Sequence, residues 1–412
     1  MTQTRKLTIP KRSGEALAAL LDLPVDGTPT AFALLAHCFT CTKDYKGLYH
    51  LSRALTAEGI GVLRFDFAGL GESGGIFADT GLLSNVEDLV AAAEFMRERF
   101  DAPKLLIGHS LGGQAVLMAA SAIPSAAAVV TIGAPADPRQ VLRHLGTARE
   151  TIAVRGEADV NISGRSFTLR RKFLDDLQGA DPAASLAALQ RPLLVLHSPR
   201  DEIVSIDNAL ALFQAAQHPK SMVALGEADH LLSRTADARY AGAVIAAWAQ
   251  PYVAPAPAAA LPAESRITAR TGDEGFATEI RAGRHRLTAD EPAAAGGTDR
   301  GPTPFDLLVA ALGACTSMTL RMYADRKRWP LEAATVRLAH RKMHASECTS
   351  CETREGLLDR IEREIELEGP LDPDQRQRLL QIADRCPVHR TLTGETQIVT
   401  RLAGEPESGD NR

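Results

Sequence analysis

Four prolines within thirteen residues divide this chain. Positions 251–263 read Pro-Tyr-Val-Ala-Pro-Ala-Pro-Ala-Ala-Ala-Leu-Pro-Ala. Proline has no amide hydrogen and fixes its own φ, so neither a helix nor a central strand is expected there. The stretch reads as an extended, semi-rigid spacer over 251–264. Cutting 412 residues at this point leaves two parts, each long enough to bury a core of its own. The expected domains are 1–250 and 265–403, followed by a polar tail over 404–412.

The two parts differ in texture. Before the spacer, short apolar strands alternate with helical patterns. The strands are expected at Ala31–Ala36, Gly61–Phe65, Lys104–Gly108, Ala127–Ile132, Pro192–His197 and Ser221–Leu225. Helices are expected at Asn85–Arg99, Leu111–Ala122 and Tyr240–Gln250. Near-continuous apolar strands separated by helices predict an α/β domain with a mostly parallel sheet covered on both faces. Such sheets gather functional groups beyond the carboxyl ends of their strands. After the spacer the pattern is α+β. Helices are expected at Pro304–Lys327 and Asp372–Asp384, the latter with Asp372 as N-cap and Pro373 at its first position. Strands are expected at Arg266–Ala269, Phe276–Arg281, Arg284–Ala289, Thr335–Met343, Leu357–Glu368 and Gln397–Leu402.

Composition narrows the function classes. A net charge of −5 gives no reason to expect nucleic acid or an anionic membrane as partner. No uninterrupted apolar run reaches the roughly 18 residues that a bilayer requires. The basic segment Met1–Pro10 lacks a following signal-peptide core, so a cytoplasmic location is expected. Six cysteines are too few for a disulfide scaffold and call for packing, metal or redox explanations.

The sharpest motif is Gly108-His109-Ser110-Leu111-Gly112, a G-x-S-x-G sequence between an expected strand and an expected helix. That context turns the chain sharply and presents the serine hydroxyl above a helix N-terminus. A serine nucleophile needs a base, and the base an orienting carboxylate, in the chain order Ser, Asp or Glu, His. Asp201 and His230 each follow a strand end, with Glu202 and Asp229 as weaker rivals for the acid. Expected oxyanion donors are the amides of Leu111 and Phe39, the latter in the loop after Ala31–Ala36.

These residues resemble the α/β-hydrolase superfamily, in particular its serine aminopeptidase and monoacylglycerol-lipase-like branch, over positions 1 to about 250. Asp66-Phe67-Ala68-Gly69-Leu70-Gly71-Glu72-Ser73 fits that branch's D-x-x-G-x-G-x-S loop. The chain departs from the pattern at Cys38, where the oxyanion motif usually has glycine. It also has only a modest cap, Ala136–Gln190, carrying Arg139, Arg143, Arg149, Arg155, Arg165, Arg170 and Arg171. Those arginines form either an anion-favouring lining or a solvated polar face.

A second site is expected beyond the spacer. In the helix Pro304–Lys327, Leu308, Ala311, Cys315, Met318 and Met322 share one stripe, which predicts a core face. A cysteine on such a face is ordinarily inert packing. Cys386 precedes Pro387 and would cap a short helix, where free amides favour a thiolate and His389 and Arg390 are near. The plain alternative is a half-buried cysteine at a turn.

Gly301-Pro302-Thr303-Pro304-Phe305-Asp306-Leu307-Leu308, Ala311-Leu312-Gly313-Ala314-Cys315-Thr316 and Cys386-Pro387-Val388-His389 together resemble the OsmC/Ohr family over about 265–403. The resemblance implies that Cys315 is a peroxidatic thiol reducing an organic hydroperoxide. It also implies that Cys386 resolves the sulfenic acid as a disulfide, that a dithiol reductant returns it, and that the domain dimerises. The family's glutamate after the helix-opening proline is here Phe305, with Asp306 one position later. Arg281 and Arg284 are candidates for the family's activating arginine.

Two C-x-x-C pairs remain, Cys38/Cys41 and Cys348/Cys351. The second, with His340 and His344 upstream, reads as a zinc site, a redox loop or a plain turn. The first reads as packing around Ser110. No metal or cofactor is expected. The sequence therefore favours a serine hydrolase of a small ester, thioester or amide, fused to an OsmC-like thiol domain. The rivals are a mainly redox protein and a non-catalytic binding module on a hydrolase scaffold.

Overall fold

The computed structural model describes residues 3–402 except 13, 26, 163–164, 254–266, 273–274, 284 and 348–354. Most of the expected spacer, the expected tail, Arg284, Cys348 and Cys351 thus lie outside the described residues. The remainder forms two compact units, Met1–Gly272 with Thr278–Leu287, and Asp273–Ala277 with Thr288–Arg412.

The first unit opens with an antiparallel pair, β1 (Gln3–Pro10) and β2 (Ala16–Leu23). There follow β3 (Ala31–Ala36), α1 (Lys46–Ala57), β4 (Ile60–Phe65), α2 (Leu82–Arg99), β5 (Leu105–His109), α3 (Leu111–Ala119) and β6 (Ala128–Ile132). An insertion then carries α4 (Ala148–Arg155), the paired strands β7 (Glu157–Ile162) and β8 (Arg165–Arg170), α5 (Arg171–Gly179) and α6 (Pro182–Ala188). The chain returns through β9 (Leu193–His197), α7 (Asp207–Ala215), β10 (Lys220–Ala224) and α8 (Thr235–Val253). The eight-stranded sheet runs β1-β2-β4-β3-β5-β6-β9-β10 and is parallel from β4 onward, as expected of a mostly parallel α/β fold.

Burial explains why these strands read as unbroken apolar runs. Every residue of β3, β4, β5, β6 and β9 is buried, because helices cover both faces. Alternate side chains feed two cores. Ala33, Leu35, Leu105, Ile107, Val130 and Leu194 pack with residues of α1 and α8, whereas Leu34, Leu106, Val129 and Val195 pack with α2 and α3. Truncating a fully buried Leu34 or Leu106 to alanine costs about 2–5 kcal/mol. β1 and β2 were not expected: on β1 only Ile9 is buried, so this edge strand shows little apolar periodicity.

The helix before the expected spacer is longer than its sequence pattern suggests. α8 continues past Gln250 to Val253 with Pro251 inside it. The buried face of Ala241, Ile245, Ala249 and Val253 carries the helix through the residue that should have stopped it. A three-stranded sheet follows, β11 (Ile267–Thr271), β12 (Thr278–Ala282) and β13 (His285–Ala289). Most of it groups with the first compact unit, although the change of sequence texture lies before it.

The second unit contains α9 (Pro304–Lys327), β14 (Ala333–His344), β15 (Leu357–Glu368), α10 (Pro373–Ala383) and α11 (Pro387–Thr393). β14 and β15 pair antiparallel over their full length. The core is small: Leu320, Ala324, Leu331, Leu371, Leu379, Ile382 and Ala383. Asp372 caps α10 as expected, its Oδ1 accepting the Gln375 amide at 2.8 Å. Two expectations fail. Gln397–Leu402 forms no strand, and Ile398, Val399 and Leu402 are at least 74 % exposed, because no neighbouring strand pairs with them among the described residues. The expected core stripe of α9 faces outward: Met318 and Met322 are 64 % and 72 % exposed, and Leu308 is exposed as well. The buried face is instead Val309, Leu312, Gly313, Thr316, Leu320 and Ala324, one position round the helix. α9 is also the one described helix long and apolar enough, by length and composition, to cross a membrane.

Candidate active site

β5 ends at His109 and α3 begins at Leu111, so Ser110 alone makes the turn. Its backbone takes φ 56° and ψ −125°, a strained conformation for a side-chain-bearing residue. The turn holds because its amide donates to the Ile132 carbonyl on β6 at 2.8 Å. The flanking glycines are required by close approach. A Cβ at Gly108 would lie 2.3 Å from the Gly112 carbonyl oxygen, and one at Gly112 would lie 2.4 Å from that of His37.

Residues 110, 201 and 230 converge at the carboxyl ends of β5, β9 and β10. His230 Nε2 lies 3.0 Å from Ser110 Oγ, and His230 Nδ1 lies 2.7 Å from Asp201 Oδ2. The other Asp201 oxygen accepts the amides of Ile203 at 2.9 Å and Val204 at 2.8 Å. Asp201 is therefore the carboxylate in the chain, not its neighbour Glu202 or Asp229. Burial would raise the Asp201 carboxyl, but hydrogen bonds from His197 and His230 outweigh it and hold it well below the usual carboxylate range. A hydroxyl, an imidazole and an ionised carboxylate in series can lift a proton from the serine and hold the resulting imidazolium.

Two further histidines fix this chain, and neither was singled out by sequence. His197 Nε2 donates to the Val204 carbonyl at 2.7 Å and lies 3.4 Å from Asp201 Oδ2, pinning the loop that carries Asp201. His109 Nε2 donates to the His230 carbonyl at 2.7 Å. Burial pushes the His109 ring down to about 3, and the nearby His230 adds to this, so it is neutral at ordinary pH. The signal for His109 was present as the variable position of G-x-S-x-G, but nothing in one sequence marks that position as a donor.

The loop after β3 is braced at both ends. His37 Nε2 accepts the Phe67 amide at 3.1 Å, so its Nδ1 carries the hydrogen and donates to the Cys38 carbonyl at 2.7 Å. Burial lowers the His37 ring to about 4. Downstream, Asp66 accepts the Lys43 amide at 2.6 Å and the Lys43 ammonium at 2.8 Å, both groups being buried. Burial opposes the ammonium, yet its bonds to Asp66 and Glu72 hold Lys43 well above its ordinary range. This gives the D-x-x-G-x-G-x-S loop a physical task, since Asp66 also accepts the Glu72 amide and Ser73 Oγ donates to the Asp66 carbonyl. Between the braces, Cys38 and Cys41 form a disulfide with Cα atoms 5.3 Å apart, a covalent link where the sequence reading expected packing alone.

Phe39, Leu111, Ser110 and His230 all line one cavity of about 850 Å³, together with Cys38 and Cys41. The Phe39 ring stacks on Phe173 of α5 with centroids 4.9 Å apart. The cap arginines divide between the two readings. Arg143 and Arg165 line the cavity, and Arg165 donates to the Thr40 carbonyl. Arg139 pairs with Asp137, and Arg170 with Asp79 and Glu157, on the outer surface.

In the second unit, Cys386 is fully buried and caps α11, as the Cys-Pro pair predicted. Its sulfur accepts the His389 amide at 3.3 Å and lies 3.6 Å from Thr316 Oγ1. Thr316 in turn accepts from Arg363 at 3.1 Å, and Arg363 also binds the Ala383 carbonyl and Asp384. Cys315, half-buried on α9, is a free thiol, as is Cys386. Arg363 of β15, which the sequence reading does not name, is thus linked to the Cys386 sulfur through Thr316. Arg281 donates to the Gly283 carbonyl. Asp306 accepts from the amide and hydroxyl of Thr303 in a capping box, which holds its carboxyl below the usual range. Phe305 stacks on His340 at 4.3 Å, and His340 pairs with Asp359 at 2.9 Å. No group of three or more potential metal ligands occurs among the described residues.

Residues 33–295 match the family described as "Alpha/beta hydrolase family". The chain belongs to that family. Residues 297–401 match the family described as "OsmC-like protein", so an OsmC-like domain follows the hydrolase. Among solved structures, the hydrolase resembles the esterase domain of a Rhodothermus marinus protein. The two are 48 % identical with a TM-score of 0.51, over 61 % of this chain and 99 % of that one. Est1E of Butyrivibrio proteoclasticus, solved with ferulic acid, shares the fold at 21 % identity and a TM-score of 0.54, over 60 % of this chain and all of the other. Among curated proteins, the mouse palmitoyl-protein thioesterase ABHD10 is 28 % identical over 42 % of this chain and 60 % of its own length. The Salmonella typhi protein YfhR is 27 % identical over 49 % of this chain and 68 % of its own.

Proposed function

We propose that the hydrolase unit cleaves a small ester, thioester or amide through an acyl-enzyme on Ser110. The carrying observation is the continuous chain from Ser110 Oγ to His230 at 3.0 Å and from His230 to Asp201 at 2.7 Å. His230 takes the serine proton as Oγ attacks the acyl carbon, then returns it to the leaving group. The amides of Leu111 and Phe39 receive the oxyanion, with the α3 N-terminus beneath it. Water repeats the cycle to release the acid. The esterase naming of the Rhodothermus marinus domain and the thioesterase naming of ABHD10 support ester and thioester substrates. The cavity near 850 Å³ accommodates an acyl chain of moderate length. A panel of p-nitrophenyl esters and acyl thioesters of increasing chain length tests the reading, with Ser110→Ala as the comparison. Turnover in wild type and its loss in the variant is the expected result.

A second reading concerns the OsmC-like domain. Cys315 would reduce an organic hydroperoxide and Cys386 would resolve it, at the expense of a dithiol. The His389 amide donated to the Cys386 sulfur, with the Thr316 hydroxyl 3.6 Å away, supports a role for that thiol. Consumption of cumene hydroperoxide that disappears in Cys315→Ser would sustain it, and no consumption by wild type would end it. The outward stripe of Leu308, Met318 and Met322 favours a homodimer through this domain, which light scattering reads directly. A cytoplasmic location and the absence of nucleic-acid or membrane partners remain part of the proposal.

A further inference from the structure

The Cys38–Cys41 disulfide encloses Phe39 and Thr40, one of which carries a proposed oxyanion donor. On either side the backbone is fixed by buried bonds, His37 to the Cys38 carbonyl and Lys43 to Asp66. Within the four residues the backbone has one turn bond, Cys41 N–H to the Cys38 carbonyl at 3.2 Å. Thr40 is buried at φ 66°, in the left-handed region that β-branched residues rarely enter. The sulfur bridge and the Arg165 contact to the Thr40 carbonyl therefore hold an otherwise unfavourable turn. Both cysteines line the Ser110 cavity, and Cys41 is half-exposed where Cys38 is 4 % exposed.

We propose that the Cys38–Cys41 pair is a redox switch on the Ser110 site, closed in the active form and opened by a dithiol reductant. The inference rests on the hydrolase reading above. A thiolate of the dithiol attacks the sulfur of Cys41, the S–S bond breaks, and Cys38 leaves as thiolate and takes a proton from water. The reductant's second thiol, as thiolate, attacks its own sulfur in the mixed disulfide and expels Cys41, which is protonated in turn. The reductant loses two electrons and two protons and ends as a disulfide. Cys38 and Cys41 gain both as two thiols. Freed of the bridge, Thr40 relaxes out of its left-handed conformation and the Phe39 amide leaves the position where it meets the oxyanion.

The test uses the full chain before and after treatment with dithiothreitol, which is then removed under argon. Turnover of a p-nitrophenyl ester is measured while thiols are mapped by differential alkylation and mass spectrometry. In the oxidised protein Cys38 and Cys41 should resist alkylation. Reduction should expose both and lower kcat/KM at least about tenfold, short of the roughly hundredfold or greater loss that follows complete removal of an oxyanion donor. Reoxidation with glutathione disulfide should restore it. Cys38→Ser/Cys41→Ser should sit at the reduced level and ignore the dithiol, although Cys315 and Cys386 remain. An unchanged kcat/KM after mapped opening of the bridge overturns the switch. So does free Cys38 and Cys41 in protein kept under oxidising conditions, or a dithiol response that persists in the double variant. Should that variant not fold, the reversible wild-type experiment decides alone. Ester turnover that survives in Ser110→Ala is a separate failure, of the hydrolase reading itself.

Discussion

His109 and His230 are joined by a 2.7 Å hydrogen bond from the His109 ring to the His230 backbone carbonyl. A carbonyl only accepts, so His109 Nε2 carries the hydrogen. The residue before the proposed nucleophile thereby holds the loop that presents the proposed base. His109→Phe keeps the ring volume and removes the donor. It should lower kcat about tenfold with a smaller effect on KM, because it displaces the His230 loop without touching bound substrate. His109→Gln, which retains a donor, should recover part of the loss. Steady-state kinetics on one ester separates the two parameters, and equal kcat in all three proteins would count against the positioning role.

Asp201 serves two sets of donors at once. One oxygen takes the Ile203 and Val204 amides and the other faces His230. Asparagine has a single acceptor oxygen. If that oxygen keeps the loop amides, its NH₂ group faces His230 Nδ1 and forces the wrong tautomer. Asp201→Asn should therefore reduce kcat by about 10³–10⁴ while the protein stays folded. Activity within tenfold of wild type, with an unchanged circular dichroism spectrum, would assign the orienting role elsewhere.

Acid should destabilise the first unit through two buried imidazoles. His37 is lowered to about 4 and His109 to about 3, both by burial first. Their unfolded values are near 6.5, so below that pH the unfolded chain binds protons that the folded one refuses. Stability is whole above about 6.5 and falls toward pH 4, by roughly 1 kcal/mol per pH unit for each ring. The urea midpoint should drop between pH 7.5 and pH 5. An equal midpoint at both would show that the rings are not buried in the neutral form.

Arg363 links β15 to Thr316, the Ala383 carbonyl and Asp384, closing over the buried Cys386. Arg363→Met should cost about 1–3 kcal/mol by leaving hydrogen-bond acceptors unpaired. It should also accelerate the reaction of Cys386 with Ellman's reagent by about five- to a hundredfold, since each 1.4 kcal/mol of lost protection is worth a factor of ten. Unaltered labelling of Cys386 would mean that the arginine does not guard it.

The parallel sheet was legible because complete burial leaves an unmistakable run of apolar residues, as in Leu105–His109 and Leu193–His197. Ser110, Asp201 and His230 were legible because chain order and strand ends together constrain them. The helix capped by Cys386 was readable from a local rule about proline. What escaped depends on partners distant in the chain. Arg363 meets Thr316 across 47 positions, and His109 meets His230 across 121. The stripe on α9 misled because spacing finds an apolar face without saying which of two faces the rest of the unit covers. Pro251 misled because core contacts along α8 outweigh one lost amide.

The central claim is that the Ser110 hydroxyl is the nucleophile, activated by His230. Its most direct test is mass spectrometry of the intact chain after reaction with a fluorophosphonate, followed by peptide mapping. A single adduct on Ser110, absent from Ser110→Ala and slowed at least about a hundredfold in His230→Ala, is the result this account requires. An adduct on another residue, or labelling as fast without His230 as with it, would contradict it.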